Sequence, residues 1–241
     1  MFITHLRFGH LFSGAYKADL FRLCVLLIHG GVYSDVDVEL TTDLDSMLDD
    51  DVGFIIPVDE PGRQNGMGSC MWNGLMASSP GHPFIAKAVE LIVNQIRNRF
   101  TAVDIDNMLC PNVALDHSHA WDLLFVTGPC IIGAAINAVL GNHMQAHIVP
   151  GTLNTSTADV DIPGRSIILS QNKADMGWHR FTYLEKNVIV AGTDCPDYDD
   201  RGNQNHYSDK PPHIKMALFG TKALYKDFNA KGEDIKIQVR R

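Results

Sequence analysis

The stretch Tyr16–Leu40, YKADLFRLCVLLIHGGVYSDVDVEL, contains the patterns on which the fold prediction depends. Its first half is apolar nearly all round, which predicts a helix over Gly14–His29 that is buried on most of its surface. Gly30 follows as the residue that ends this helix. The apolar-polar alternation that comes next predicts a strand over Val32–Val38 that enters the core.

Two carboxylates, Asp35 and Asp37, belong to the predicted strand. Residues two apart on a strand point to the same side, so we expect both to converge on one hard cation while Val36 turns inward. Mg²⁺ or Mn²⁺ bound to a diphosphate fits such a pair, and Glu39 on the same strand face is a further candidate ligand. The Asp-x-Asp pattern recurs at 43/45, 49/51, 104/106, 159/161 and 197/199, so spacing alone leaves open a solvated strand end.

Asp19 and Arg22 lie three residues apart, on one face of the predicted helix. The simplest interpretation is an ion pair that covers a helix end. Arg22, however, is the only charged residue in the run Leu20–Ile28, and charged side chains are rarely buried without a partner. We therefore favour a polar cleft in which Arg22 binds a phosphate or sugar oxygen and Asp19 binds a sugar hydroxyl.

Two residues farther along the chain are weaker candidates for the same cleft. His206 lies in the loop NQNHYSDKPPH and is a possible third metal ligand, although most loop histidines hold no metal. Asn73 follows Trp72 and is a candidate contact for a polyol acceptor, with turn chemistry as its plain alternative. Neither residue sits in a motif of its own.

Helices and apolar strands alternate along the chain. The run 52–58 predicts a buried strand, Pro83 opens an amphipathic helix, and a further helix follows Thr127-Gly128-Pro129 and ends at Gly141. Short strands are predicted at 166–169 and 188–191. This order predicts a single α/β domain over residues 1–241, with a mostly parallel sheet flanked by helices.

Bulk composition excludes several classes of function. The chain has 241 residues, 45% of them hydrophobic, and its formal net charge of −8 argues against a nucleic-acid surface. The five cysteines have no CxxC spacing and an odd total, so we expect structural thiols and not a zinc site or a disulfide framework. We predict no transmembrane segment, because no apolar run approaches the ~20 residues that span a bilayer. The N-terminus carries no recognisable targeting signal.

The combined motif of helix and Asp-x-Asp strand resembles the sugar-binding DXD region of glycosyltransferase family 32, which includes fungal initiation-specific α-1,6-mannosyltransferases and inositol-phosphoceramide mannosyltransferases. The resemblance covers about residues 15–135. The matching residues are Ala18, Asp19, Arg22, Gly30, Gly31, Tyr33, Asp35, Asp37 and Glu39.

The resemblance implies a GT-A, Rossmann-like fold and transfer of a hexose from a nucleotide-sugar donor to a glycan or glycolipid acceptor, with retention of configuration. It also implies Mn²⁺ or Mg²⁺ as cofactor and a Golgi or secretory lumen as compartment. In that family Asp19 and Arg22 contact the donor sugar and are the catalytic candidates, Tyr33 and Asp35 complete the donor site, and Asp37 binds the metal.

Two alternatives remain open from the sequence. Family members carry a nucleotide-binding segment before the Lys-Ala-Asp helix, whereas only about 15 residues precede that helix here. We therefore expect either a fragment of a transferase or a reduced member with an incomplete donor pocket, and the second case favours an inactive module that binds sugar and metal without turnover. A phosphohydrolase of the haloacid dehalogenase type also uses Asp-x-Asp after an apolar strand. Its motif requires Thr or Val two residues after the second Asp, where this chain has Glu39.

Overall fold

The structure, a computed structural model, describes residues 14–43, 48–60, 68–98, 100–101, 110–111, 126–173 and 179–193. The helices in these ranges are α1 (Gly14–His29), α2 (Pro83–Asn98) and α3 (Pro129–Val139). The strands are β1 (Gly31–Ser34), β2 (Val38–Leu40), β3 (Val52–Pro57), β4 (Leu75–Ser78), β5 (Phe100–Thr101), β6 (Cys110–Pro111), β7 (Gly151–Thr152), β8 (Arg165–Lys173), β9 (His179–Tyr183) and β10 (Val188–Thr193).

The helices begin and end where local chemistry requires. Pro83 and Pro129 start α2 and α3, at a position where the missing N–H removes no intrahelical bond. Gly30 ends α1 with φ +64°, and its N–H donates to the carbonyl of Leu26 at 2.8 Å. A Cβ at Gly30 would lie 2.6 Å from Cδ of Pro80, so this position excludes a side chain for a second, steric reason. The three predicted helices are confirmed.

The main sheet has the strand order β1-β4-β3-β8-β9-β10-β2, with β7 added beside β8. Of these pairs, only β3 and β8 run parallel. The remaining pairs are antiparallel. The predicted mostly parallel sheet is therefore wrong, and the fold is a mixed α/β arrangement. The reason lies in the connections: β9 and β10 are joined by a four-residue turn over 184–187, which permits only antiparallel pairing, whereas β3 and β8 are separated by α2 and α3.

The sheet is strongly curled, as two features of its path show. The first half of β8, residues 165–169, pairs with β3, and the second half, residues 170–173, pairs with β9. Strands β1 and β2 close the two ends of the strand order, yet only residues 35–37 separate them. In a flat sheet of seven strands, the six spacings of ~4.8 Å would put the two end strands about 29 Å from each other. A three-residue link spans at most about 14 Å, so the two ends must approach each other.

Two hydrophobic clusters lie on opposite faces of β3 because its side chains alternate. Phe54 and Ile56 join the cluster that contains the apolar faces of the three helices. Ile55 joins a second cluster, enclosed between β3–β4 and the β9–β10 hairpin, where Trp72 stacks on Phe181 with ring centroids 4.5 Å apart. The described helices thus share one face of the sheet, and do not flank it on both sides.

Two further sequence-based predictions are corrected. Helix α1 is less buried than predicted, because Phe21 is 60% exposed and Ile28 is 48% exposed on its outer side. The expectation of structural thiols fails for Cys70 and Cys130, which form a disulfide. Cys24 is a free, half-buried thiol. An odd number of cysteines without regular spacing gives no sign of which two the fold will bring together.

Candidate functional site

The Asp-x-Asp segment forms a turn between two strands, and not a strand. The N–H of Asp35 donates to the carbonyl of Gly74 at 2.8 Å, and the N–H of Val38 donates back to the carbonyl of Asp35 at 3.2 Å. Val36, predicted to turn inward, is 107% exposed at the tip of the turn. The predicted continuous strand over Val32–Val38 is therefore wrong, because β1 pairs with β4 while β2 pairs with β10 at the far end of the strand order.

Arg22 lies at the centre of the polar cluster beside this turn. Its Nη1 donates to the backbone carbonyl of Asn73 at 2.7 Å and to Oδ1 of Asp35 at 3.3 Å. Its Nη2 lies 3.4 Å from Oδ1 of Asp19. The guanidinium carbon also stands 4.6 Å from the centroid of the Tyr33 ring, within the range of a cation–π contact. One buried cation thus joins α1 to the Asp-x-Asp turn and to the loop before β4.

Asp19 is buried below Arg22 and has a partner on each carboxylate oxygen. Nδ2 of Asn73 donates to Oδ1 at 2.9 Å, and Oγ1 of Thr127 donates to Oδ2 at 2.9 Å. Burial raises the pKa of Asp19 to about 6, while Arg22 and the two hydrogen bonds act in the opposite direction. Asp19 is therefore a carboxylate at neutral pH that is held in a fixed orientation.

Tyr33 orients the other carboxylate of the cluster. Its hydroxyl donates to Oδ1 of Asp35 at 2.6 Å. Burial, followed by this hydrogen bond, raises the pKa of Tyr33 to about 12, so the phenol remains a donor at any ordinary pH. Gly74 lies against the other side of Asp35, where a Cβ would be 2.8 Å from Oδ2 and 2.5 Å from Cη2 of Trp72. Oδ1 of Asp35 is thus engaged by Arg22 and Tyr33, whereas Oδ2 accepts no hydrogen bond from the residues that the structure describes.

The carboxylates of the turn fit a divalent cation that also binds phosphate. Among the described residues, no group of three or more His, Cys, Asp and Glu side chains could hold a metal by itself. Mg²⁺ and Mn²⁺ commonly take only one or two protein carboxylates and complete their shell with substrate phosphates. Oδ2 of Asp35 remains available, and no hydrogen bond to the exposed Asp37 carboxylate forms within the described ranges. Glu39 is exposed on β2, opposite Gly192.

Several predicted site residues come together, and others do not. Asp19, Arg22, Tyr33 and Asp35 form one hydrogen-bonded cluster. Asn73, predicted on the acceptor side, contacts Asp19 and Arg22, and its acceptor role stays a prediction. His206 lies outside the described residues.

Sequence reasoning missed Thr127 as a partner of Asp19. A threonine before a Gly-Pro helix start reads as turn chemistry, and its contact with Asp19 spans 108 residues of sequence.

A buried arginine, two oriented carboxylates and an exposed Asp-x-Asp turn have the chemistry to bind a phosphate or a sugar hydroxyl. Comparison with known proteins agrees, since residues 4–53 match the family described as "Glycosyltransferase sugar-binding region containing DXD motif". This match supports the predicted glycosyltransferase class. The family 32 assignment and the mannosyl specificity stay predictions.

Comparison with solved structures gives a match to "PaToxG Glycosyltransferase", with 18% sequence identity and a TM-score of 0.33. The match covers 52% of this chain and 34% of that one, so the chain spans about a third of the length of that structure. A comparison with curated proteins found no match. Within the described ranges, every helix is too short or too polar to cross a membrane.

Proposed function

We propose that this chain is a glycosyltransferase domain that binds a nucleotide-sugar donor with a divalent cation and transfers its hexose to a glycan or glycolipid acceptor. The observation that carries the proposal is the contact of Arg22 with both Asp19 and Asp35, beside the Asp-x-Asp turn. The match of residues 4–53 to a glycosyltransferase sugar-binding region supports the same class. Retention of configuration and mannose as the sugar follow from the resemblance to family 32.

Arg22 supplies positive charge at the place where a leaving diphosphate would gain negative charge. Its guanidinium is buried and held by the carbonyl of Asn73, so little reorganisation is needed when that charge develops. Its Nε is buried and without a hydrogen-bond partner, as expected of a group kept for function and not for stability. We therefore assign Arg22 to the diphosphate end of the donor.

Asp19 is the candidate partner of the sugar hydroxyls. Its Oδ1 is engaged by Asn73 and Arg22, whereas its Oδ2 accepts one hydrogen bond, from Thr127, and retains capacity for another. The fixed carboxylate can therefore accept a sugar hydroxyl without turning. None of the carboxylates in the cluster is assigned as a covalent nucleophile.

Asp35, through Oδ2, and Asp37 are the residues that would hold Mn²⁺ or Mg²⁺. When bound, such a cation neutralises charge on the leaving diphosphate. Tyr33 fixes the orientation of Asp35, so that Oδ1 faces the arginine and Oδ2 remains free.

The disulfide between Cys70 and Cys130 favours an oxidising compartment, because disulfides form and persist in secretory and extracellular environments. We therefore propose the lumen of the secretory pathway or the cell exterior as the place of action. The family 32 resemblance implies the same location.

A thermal-shift titration tests this proposal with UDP, GDP, UDP-glucose, UDP-N-acetylglucosamine and GDP-mannose, each with and without Mn²⁺. A ligand at one hundred times its Kd stabilises the folded state by about 2.7 kcal/mol. For a chain of this size, that corresponds to a rise in Tm of roughly 5–10 °C. We expect a Mn²⁺-dependent rise with one nucleotide and its sugar.

The matched variants are Asp37→Ala and Asp161→Ala. Both replace the exposed second aspartate of an Asp-x-Asp pair, but only Asp37 lies in the turn that contains Asp35, the partner of Arg22. We expect the Mn²⁺-dependent shift to disappear in the first and to persist in the second. No shift with any nucleotide in folded wild-type protein would refute the proposal, and binding without release of nucleoside diphosphate would favour the inactive binding module.

A further inference from the structure

The two cysteines of the Cys70–Cys130 disulfide each lie three residues along the chain from a hydrogen-bond partner of Asp19. Asn73 follows Cys70 by three residues and donates to Oδ1 of Asp19. Thr127 precedes Cys130 by three residues and donates to Oδ2 of the same carboxylate. A covalent bond thus connects the two segments whose side chains meet on Asp19.

We propose that this disulfide positions the Asp19 carboxylate through Asn73 and Thr127, so that ligand binding at the site depends on the redox state of the Cys70–Cys130 pair. This inference rests on the proposed function, because it concerns the regulation of the same donor-binding site. Asn73 and Thr127 are then positioning residues, which act through Asp19.

The two segments also contact each other without the disulfide, since the backbone of Ser69 packs directly against Gly133 of α3. Between them, the backbone N–H of Met71 donates to the carbonyl of Pro129 at 3.0 Å. Asn73 also fixes Arg22 through its carbonyl, so a shift of its segment would move both charged groups of the site. Both cysteines are buried at 0% exposure, so the disulfide restrains two segments inside the protein and not on its surface.

The redox step is the two-electron exchange of this disulfide with an external dithiol such as dithiothreitol. The Sγ–Sγ bond of Cys70 and Cys130 breaks, two protein thiols form, and the dithiol closes to its own disulfide. Two protons and two electrons pass from the dithiol to the protein. No group of the sugar donor takes part.

Hydrogen–deuterium exchange, measured without any ligand, tests whether the disulfide restrains the two segments. The full chain is compared in oxidised form, after reduction, and as the double variant Cys70→Ala and Cys130→Ala, which needs no access of reductant to the buried bond. We expect the amides of residues 69–74 and 126–131 to exchange at least roughly tenfold faster without the disulfide, since local opening then lacks its covalent restraint. The amides of β8–β10 should be little changed. Unchanged exchange in both segments would overturn the inference.

Affinity for UDP-glucose, UDP-N-acetylglucosamine and GDP-mannose with Mn²⁺, measured by calorimetry, tests the consequence for binding. We expect the double variant to bind roughly tenfold more weakly than the oxidised wild type, because a hydrogen bond to a charged group contributes about that factor or more. Cys24→Ala is the matched control, since it removes a thiol from α1 that is not in the disulfide. Equal affinity of the oxidised wild type and a folded double variant would overturn the inference.

A thermodynamic cycle with Thr127→Val separates positioning of Asp19 from a general loss of stability. If the disulfide acts through Thr127, removing the disulfide in the Thr127→Val background should weaken binding less than in the wild type. Equal weakening in both backgrounds would show that the disulfide does not act through this residue, and would overturn that part of the inference. If the oxidised wild type binds none of the nucleotide sugars, the proposed function fails, and the exchange rates alone decide whether the disulfide organises the site.

Discussion

Replacing Asp19 by asparagine should stabilise the protein at alkaline pH while removing the proposed binding of a nucleotide sugar. The carboxylate is buried, and its burial raises its pKa from 3.8 to about 6 in spite of Arg22 and two hydrogen bonds. The ionised form is therefore less favourable in the folded state than in the unfolded chain. An amide of the same shape avoids that penalty and retains polar atoms toward Asn73 and Thr127.

The size of the effect follows from linkage. A rise of the Asp19 pKa from 3.8 to about 6 means that the folded protein binds the extra proton between these two pH values. The ionisation of Asp19 thus destabilises the folded wild type as the pH rises through this window. At 1.36 kcal/mol per pKa unit the loss is about 3 kcal/mol at pH 8 and falls below about 1 kcal/mol near pH 4. Asp19→Asn should gain up to this amount, with the same pH dependence.

Urea unfolding of the wild type and Asp19→Asn at pH 8, 6 and 4 measures the difference directly. Asp37→Asn serves as the control, because that carboxylate is exposed on the turn and we expect no comparable gain. Asp19→Asn should also lose the Mn²⁺-dependent thermal shift with nucleotide sugar. A variant that is less stable than the wild type at pH 8, or a difference that does not shrink toward pH 4, would refute the reasoning.

Three further substitutions test other parts of the structure. Tyr33→Phe removes the 2.6 Å hydrogen bond to the partly exposed Asp35 and should lower the free energy of unfolding by about 1–2 kcal/mol in urea; an unchanged midpoint would contradict the bond. Gly74→Ala places a Cβ against Trp72 and Oδ2 of Asp35, so we expect the free energy of unfolding to fall by roughly 1–3 kcal/mol. We also expect no Mn²⁺-dependent thermal shift in this variant, and a retained shift would argue against Asp35 as a ligand. Burial lowers the pKa of His82 to about 4, so the contribution of His82 to stability declines as the pH falls from 6.5 to 4, opposite in sign to that of Asp19. His82→Gln should flatten that dependence in acid-unfolding curves, and an unaltered acid transition would contradict the assignment.

The helices and β3 could be predicted because their signals are local. Pro83 at the first turn of α2, Gly30 after α1 and the apolar run of β3 each depend on nearby residues alone. Strand β4 was missed, since its four buried residues form a short apolar run without alternation. The mixed sheet was also missed, because a local pattern does not encode which strand lies beside which.

The candidate site likewise contains residues that local patterns predicted and residues that only long-range contacts bring in. Asp19 and Arg22 could be paired from helical spacing, and the Gly-Gly turn pointed to Asp35. Asn73 and Thr127 lie 54 and 108 residues from Asp19 along the chain, so no local motif predicts these contacts. The prediction that Val36 turns inward failed for the related reason that the partner of β2 lies about 150 residues away, in β10.

The position of the Asp-x-Asp turn between the two ends of the curled sheet has a consequence for the order of folding. Strand β2 has its hydrogen-bonded neighbour in Val188–Thr193, so the downstream side of the turn is anchored only after that distant segment has joined the sheet. Pairing over such a separation is slow, because the entropy of closing a long loop is lost before any stabilising contact forms. The proposed metal-binding end of the site is therefore expected to form among the last parts of the domain, and a chain that stops before residue 188 would hold Asp19 and Arg22 on α1 without a fixed Asp37.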